Sequence, residues 1–581
     1  MTKTNDVPMM FRAPIEGRCQ LQRIKGKGKT HAVSQWQQEW TEAATNPPED
    51  RSPSSGKIKP WERATATSGS KTNSRLGKPP KFKGGSQTRT YKIAWRLMMN
   101  SGQDEGFIRP VLDVRGYPYY PGSSMKGAFR DACRKQGFDA KKTEFYCGAV
   151  DRPGILRFHG GYPTNNWVKG VVDITHPQQE WQVKSQDTTE KPKGESAYSL
   201  ISLYEPNMEF GISASHPEDT WQYGNWQEVW QVWETALGFG LGSRVSAGYG
   251  TTRRKNGDII LPHVDGYREL YRAKIKGCGL APTLLDGTYE FRPNMFRATI
   301  RGHALRIFSG LSPDRVQEVV ADLFGDTEVK KNGASETQVG LLRCVFDSHE
   351  LEIYEDGFYE VSGKLIWLPF TAIPAERLPA LKNLIEKLTQ FAMLLGGFGK
   401  SWRRANHEMF WESYEGYPIG CHWEWVKEKD NPASDRASAA ALIEATVRAA
   451  KTWLKMCYGE ESLSASSVSG YREAWHQDNV KVWIRDSNED SAIIPLLHGA
   501  KGDFPKKTPK IYQTEVTGKV RGGSQIGRLW HRMYPIGDDR YLEIVTLFEG
   551  ESQKAKDFAD ALDRTKPKDR IYFQRVWPAS N

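Results

Sequence analysis

Apolar residues recur on one helical face in two widely separated stretches, "WQEVWQVWETALGFG" (226–240) and "LPALKNLIEKLTQFAMLLGGFG" (378–399), and both then run into glycines. Spacing at i, i+3, i+4 and i+7 before a glycine cluster predicts two amphipathic helices with glycine caps. "ASDRASAAALIEATVRAAKTWLKMCYG" (433–459) reads as a third helix by its Ala/Leu spacing. Shorter runs read as strands: "TYKIAWRLMMN" (90–100), and "GKVRGGSQIGRLWHRMYP" (518–535) with "RYLEIVTLFEG" (540–550), where a basic Gly-rich turn sits between strands. "FRAPIEGRCQLQRIKGKGK" (11–29) suggests a further strand with a basic Gly-Lys tip. Residues 45–90 have little periodicity and much Pro, Gly, Ser and Lys, which predicts a linker or mobile loop.

An internal repeat organises the middle of the chain. "SMKGAFRDACR" (124–134) answers to "TIRGHALRIF" (299–308), "PGILRFHGG" (153–161) to "VGLLRCVFDS" (339–348), and "ETALGFGLGSRVSAGYG" (234–250) to "AMLLGGFGKSWRR" (392–404), each shifted by about 160–190 residues. In both copies a helix opened by a basic-Gly pair comes first, a short strand opened by glycine second, and a helix ending in a glycine cluster third. Each half therefore reads as a small α+β unit.

With 581 residues, two to four domains are expected, and a mean hydropathy of −0.63 with 20 Trp describes a polar chain that folds. The net charge is +11, and residues 1–90 hold seventeen Lys+Arg against seven Asp+Glu, so 17 − 7 = +10 of it is N-terminal. Such a block suits a polyanion, because neutralising phosphates releases condensed counterions; a solvated arm is the alternative. No uncharged apolar run reaches membrane-spanning length and "MTKTNDVPMMFRAPIEGR" has no apolar signal core, so no membrane partner and a cytoplasmic location are expected. The seven cysteines are scattered without zinc-ligand spacing, which predicts reduced thiols and no metal site of that kind.

"YPYYPGSSMKGAFRDACR" (117–134) lacks phosphate-loop spacing, yet a small Gly122-Ser123-Ser124 turn leading into a helix, with Lys126 and Arg130 four apart on one face, can seat a single backbone phosphate. The loop 238–250, with Gly240 and Arg244, offers backbone donors and charge; Lys400, Arg403 and Arg404 would serve the second copy, with Arg301 and Arg306 on its first helix. Tyr117, Tyr119, Tyr120 and Trp402 either stack on bases or belong to the core. His159, His176, His303 and His531 have no partner at meaningful spacing, which favours structural or RNA-contacting roles over catalysis.

"PGSSMKGAFR" (121–130) and "GFGLGSRVSAGYG" (238–250) resemble the helix start and glycine-rich loop of the RAMP superfamily of CRISPR proteins, in particular the backbone subunits of type III effectors. In the second copy "FRATIRGHALRIF" and "LLGGFGKSWRR" stand in for those motifs in degenerate form. The resemblance covers about residues 90–410 and implies two tandem ferredoxin-like βαββαβ domains, at 91–258 and 259–425. They would follow a basic arm (1–44) and linker (45–90), with a C-terminal helical and β extension (426–581) that completes the second domain or is appended to it. It further implies a CRISPR guide RNA, complementary target RNA and other type III effector subunits as partners.

Relatives that cut target RNA use an acid on the loop before the helix start. In "GCGLAPTLLDGTYEFRP" (277–293) that points to Asp286, and in "MMNSGQDEGFIRPVLDVRGYPYYPG" (98–122) to Asp104 or Glu105 as weaker candidates. Such a carboxylate could act with Mg²⁺ or orient a ribose 2′-hydroxyl for attack. The expected activity is endonucleolytic cleavage of target RNA within the assembled complex. A non-catalytic scaffold of that complex and a stand-alone, histidine-dependent precursor-RNA endoribonuclease are the alternatives.

Overall fold

The computed structural model describes residues 80–579, apart from 105–106, 114–116, 166, 168–171, 176–181, 185–197, 285–286, 330–334, 413–418, 464–469, 506 and 520–524. The expected N-terminal strand, residues 45–79 of the expected linker, Glu105, His176 and Asp286 therefore lie outside the described residues, and the linker ends earlier than expected, since the strand Gln87–Ile93 begins before residue 90. The chain divides into two compact units, Met1–His176 with Gly194–Asp265 and Leu284–Thr288, and Pro177–Lys193 with Gly266–Thr283 and Tyr289–Asn581.

The first unit is built on β1 (Gln87–Ile93), α1 (Gly122–Lys135), α2 (Ala140–Cys147), β2 (Leu156–Pro163), β3 (Asn207–Ala214), α3 (Trp226–Gly238) and β4 (Thr252–Arg253). The strands pair antiparallel in the order β4-β1-β3-β2, so a βαββαβ chain closes with its first and third strands side by side, as in a split βαβ ferredoxin-like sheet. Alternation drives the layering: Tyr91 and Ile93 of β1 and Met208, Phe210 and Ile212 of β3 are buried on one face. Onto it pack Met125, Phe129, Ala132 and Cys133 of α1 and Val229, Trp230, Trp233 and Leu237 of α3, each set at helical spacing.

The second unit repeats the plan. β5 (Tyr271–Leu280), α4 (Asn294–Leu311), α5 (Val316–Phe324), β6 (Leu342–Ile353), β7 (Phe358–Pro369), α6 (Leu378–Leu395) and β8 (Cys421–Trp425) form an antiparallel sheet in the order β6-β7-β5-β8. The landmark pairs found in the sequence occupy matching places: first helix, second strand, and second helix with its glycine loop.

The segment after Trp425 holds more than an extension. Helix α7 (Arg436–Tyr458) is closed by an Asp435–Ser438 capping box. Then β9 (Val480–Ser487), α8 (Ile493–Leu497), β10 (Leu529–Pro535), β11 (Tyr541–Phe548), α9 (Gln553–Asp563) and β12 (Gln574–Trp577) make a sheet of their own in the order β10-β11-β9-β12. This is a third βαββαβ arrangement, so residues 426–581 do not complete the second sheet, which closes at β8. Its first helix has only five residues and lacks a basic-Gly start, which hid it from the repeat pattern.

The second and third sheets share one apolar core, with Phe391, Trp423, Trp453, Trp475, Val482 and Trp530 all buried in it. Polar groups stitch them further. Arg532 donates to the carbonyls of Met393 (3.2 Å) and Trp423, and the Trp425 indole donates to Tyr534 (3.0 Å).

At the centre lies Glu473, fully buried, with its carboxylate 2.7 Å from Arg306, 2.6 Å from Arg403 and 3.6 Å from Arg472. Burial alone would raise the Glu473 carboxyl; the Arg403, Arg306 and Arg472 guanidiniums together outweigh it and hold the group at about 2, below its ordinary 4.5. Because the folded value is depressed, this contribution is complete above about pH 4.5 and is lost as pH falls toward 2. Glu473→Gln leaves three guanidiniums without their counter-charge and should destabilise the second unit by about 3–5 kcal/mol. Urea titrations from pH 7 down to pH 3 should show the wild-type stability falling toward that of the variant.

Candidate nucleic-acid interface

The βαββαβ order puts the start of the first helix and the loop after the second helix at the same end of a sheet. In the first unit this end is closed by backbone bonds. Tyr120 and Gly161 exchange N–H and C=O at 2.8 and 2.9 Å, Ala94 N–H reaches Thr251 O at 2.8 Å, Gly250 N–H reaches Arg96 O at 2.7 Å, and Ser243 N–H reaches Met98 O at 2.9 Å.

Helix α1 starts immediately after Pro121, and no side chain caps its first turn. Gly122 has a packing reason to be glycine: a Cβ there would lie 2.1 Å from the Phe158 carbonyl oxygen, so the turn sits directly on β2. Ser123, Ser124, Lys126 and Arg130 are exposed beside it, and neither Lys126 nor Arg130 forms an ion pair with a described residue. Their field reaches inward: the Cys147 thiol is lowered first by its hydrogen bond with Cys133, against burial, and then by Lys126 and Arg130. The six described cysteines, these two included, are free thiols.

The glycine loop folds back on the domain. Gly240 (φ 90°), Gly242 (φ 75°), Gly248 (φ 93°) and Gly250 (φ 62°) are left-handed, and a Cβ on Gly250 would lie 1.8 Å from the Leu241 oxygen. Within it Tyr249 is buried against Trp95 and donates to Asp173 at 2.6 Å. Arg244, the non-glycine residue held left-handed at φ 57°, is exposed at the tip. The hairpin of strands Asn100–Asp104 and Phe107–Pro110 follows closely on β1, and Asp104 pairs with Phe107 next to its turn.

The second copy departs from this pattern. Lys400 is exposed and Arg301 half-buried. Arg306, Arg403 and Arg404, expected on a nucleic-acid surface, are instead used inside the unit. Arg306 and Arg403 grip Glu473, while Arg404 donates to the carbonyls of Thr517 (2.9 Å) and Leu529. Trp402 is core: it packs on His303 and Trp530, with Arg306 and Arg403 over its ring. The spacing carried the warning. Lys126 and Arg130 are four residues apart, about 40° around a helix, whereas Arg301 and Arg306 are five apart, about 140°, so the latter pair cannot share a face.

Among the other candidates, Tyr117 and Tyr120 are buried, and half-buried Tyr119 stacks on Tyr162 with ring centroids 5.6 Å apart. His303 and His531 are fully buried, and burial foremost lowers both. His531 bonds Glu543 at 3.1 Å within the third sheet. Exposed His159 bonds Ser213 at 2.8 Å. This removes His303 and His531 from any reaction on a bound strand. Among the described residues no group of three His, Cys, Asp or Glu is placed to hold a metal, and no helix is long and apolar enough to cross a membrane.

Residues 97–253 match the RAMP superfamily. The first unit carries a RAMP-superfamily domain. The match opens just after β1 and closes at the end of β4, so it contains α1, the exposed Lys126–Arg130 face and the whole glycine loop; the RAMP domain's central strand β1 precedes it. Similar solved structures include Type III-B Cmr-beta bound to cognate target RNA, seen by cryo-EM, at 20% identity and a TM-score of 0.23 over 29% of this chain and 58% of that one. They also include Cmr6 from Pyrococcus furiosus, at 15% identity and a TM-score of 0.19 over 28% of this chain and 95% of that one. The chain thus spans 58% of the length of the Cmr-beta chain it matches. No curated protein matches it.

Close backbone approach in the RAMP domain makes the glycines unequal. Gly250→Ala should destabilise the first unit by at least about 2 kcal/mol, from left-handed strain plus collision with the Leu241 oxygen. Gly127→Ala, in helix α1 with nothing within 4 Å of its new Cβ, should stabilise it by about 0.5–1 kcal/mol. Urea midpoints of the two variants should move in opposite directions.

Proposed function

We propose that this chain is an RNA-binding subunit of a type III CRISPR effector, which holds the guide RNA at the glycine-closed end of its RAMP domain and positions complementary target RNA for cleavage. The observation that carries the reading is the coincidence of the family match with an uncapped helix start, an exposed Lys126–Arg130 face and the Arg244 loop at one sheet end. A guide of any sequence must be gripped through phosphate and ribose, which suits backbone N–H groups and lone cations better than base-reading side chains. The three βαββαβ arrangements read as duplicated units, of which the second belongs to the same superfamily in divergent form. Cleavage falls to Asp286 first and Asp104 second, with Mg²⁺ as the ion that would sharpen attack by a ribose hydroxyl.

RNA that co-purifies with the full chain should be of uniform length with a shared repeat-derived end; heterogeneous RNA would instead mark a general polyanion binder. Lys126→Ala with Arg130→Ala should lower affinity for that RNA about tenfold at 0.1 M salt and reduce the slope of log K against log salt by about 1–2. In the reconstituted complex, Asp286→Ala should slow target cleavage by at least about a hundredfold with guide binding unchanged. Unchanged cleavage at every position would make the chain a scaffold.

A further inference from the structure

The open face of the second unit's first sheet carries the opposite charge. Across its four strands, β-pairing aligns Glu352 with Glu360, Glu360 with Cys278, and Cys278 with His422; the next row aligns Glu350 with Ser362, Ser362 with Lys276, and Lys276 with Glu424. These rows and Glu408 line a groove of about 990 Å³ that holds five glutamates against one lysine. Lys276 is taken by Glu424 at 3.0 Å, which leaves Glu350, Glu352, Glu360 and Glu408 with no cation partner among the described residues.

Two further features show that the groove is built to receive something. His422 is only 5% exposed, and its buried Nδ1 has no hydrogen-bond partner although the residue lines the groove. Burial, aided by Arg532 and Lys276, holds that imidazole neutral, with its pKa at about 3, so it can accept a hydrogen bond or donate one without adding charge. At the rim Met409 is 46% exposed, an apolar edge that a bare inorganic cation would not use. Glu352 directly opposite Glu360 is also a like-charge cross-strand pair, which weakens an isolated sheet.

The geometry points to this groove as a docking site for a lysine- and arginine-rich segment of another protein chain. Cationic side chains would meet the glutamates and His422 while an intervening apolar one covers Met409. A nucleic-acid strand is excluded from the same face by repulsion from the four uncompensated carboxylates. The inference is independent of where RNA binds on the first unit.

The test uses the full chain freed of nucleic acid by high-salt ion exchange, with a fluorescein-labelled ten-residue peptide alternating arginine and leucine as probe. Anisotropy should report saturable binding that a glutamine–leucine peptide does not show. Glu352→Gln with Glu360→Gln should weaken it at least about tenfold, since each removes a charge from a coupled set, with the melting curve unimpaired and binding of the co-purified RNA unchanged. Equal peptide binding by the variant would overturn the site. Displacement by spermine at equal charge concentration would reduce it to a simple polycation site. Carbodiimide cross-links from these glutamates to Lys57, Lys59, Lys71 or Lys78 of the same molecule would overturn the external partner in favour of the chain's own N-terminal segment. Loss of RNA binding in Lys126→Ala with Arg130→Ala, with peptide binding intact, would keep the two readings separate.

Discussion

A helix that must begin where a strand pair ends has almost no room to turn, and the first unit solves this by bringing backbone against backbone. The Gly122 position stands 2.1 Å from the Phe158 oxygen in Cβ terms, Gly160 stands equally close to the Tyr120 oxygen, and Gly250 is closer still to Leu241. No other residue type fits these positions, so the helix start and the distal loop are fixed to the same sheet end. The exposed cations follow from that frame: Lys126 and Arg130 ride on the first turns of the helix it starts, at the surface. The glycines thus serve the fold first, and any ligand meets what the fold leaves open.

The second copy shows what happens when a third sheet covers the corresponding loop. There β10 runs against the segment 400–404, with His531 N–H bonded to the Arg403 carbonyl at 2.9 Å and Arg404 capping Thr517 and Leu529. Charges that would face a polyanion in an isolated copy are turned onto Glu473 or backbone carbonyls. A cluster of three guanidiniums around one carboxylate cannot be opened cheaply, because parting the sheets would strand buried charge of one sign. The second and third sheets therefore behave as one cooperative body.

Much of the scaffold was legible from periodicity. The helices at 226–238, 378–395 and 436–458 follow their apolar spacing, and the landmark pairs occupy matching topological places. The third sheet was not legible, because its first helix shrinks to "IIPLL" and its repeat signature shrinks with it. At the site, Lys126, Arg130 and Arg244 are exposed as their motifs imply. Arg306, Arg403 and Arg404 were misread because composition cannot tell a solvated cation from one buried against a glutamate 167 residues away, as Arg306 is, while Trp402 takes the core place, one of the two open to it. The five-residue step from Arg301 to Arg306 was the one local signal that separates them.

The net charge of +11 describes no real surface of this molecule. Its excess sits in the first 90 residues, the first unit adds discrete exposed cations at a sheet end, and the second unit turns an acidic sheet face outward. Two copies of one topology thus present opposite potentials, because the helix-start cations survive only where nothing packs over them and the open sheet face is free to take any charge its strands encode. A polyanion and a polycation can then be held by one chain without competing, since each meets repulsion on the other's surface over a range of about one Debye length.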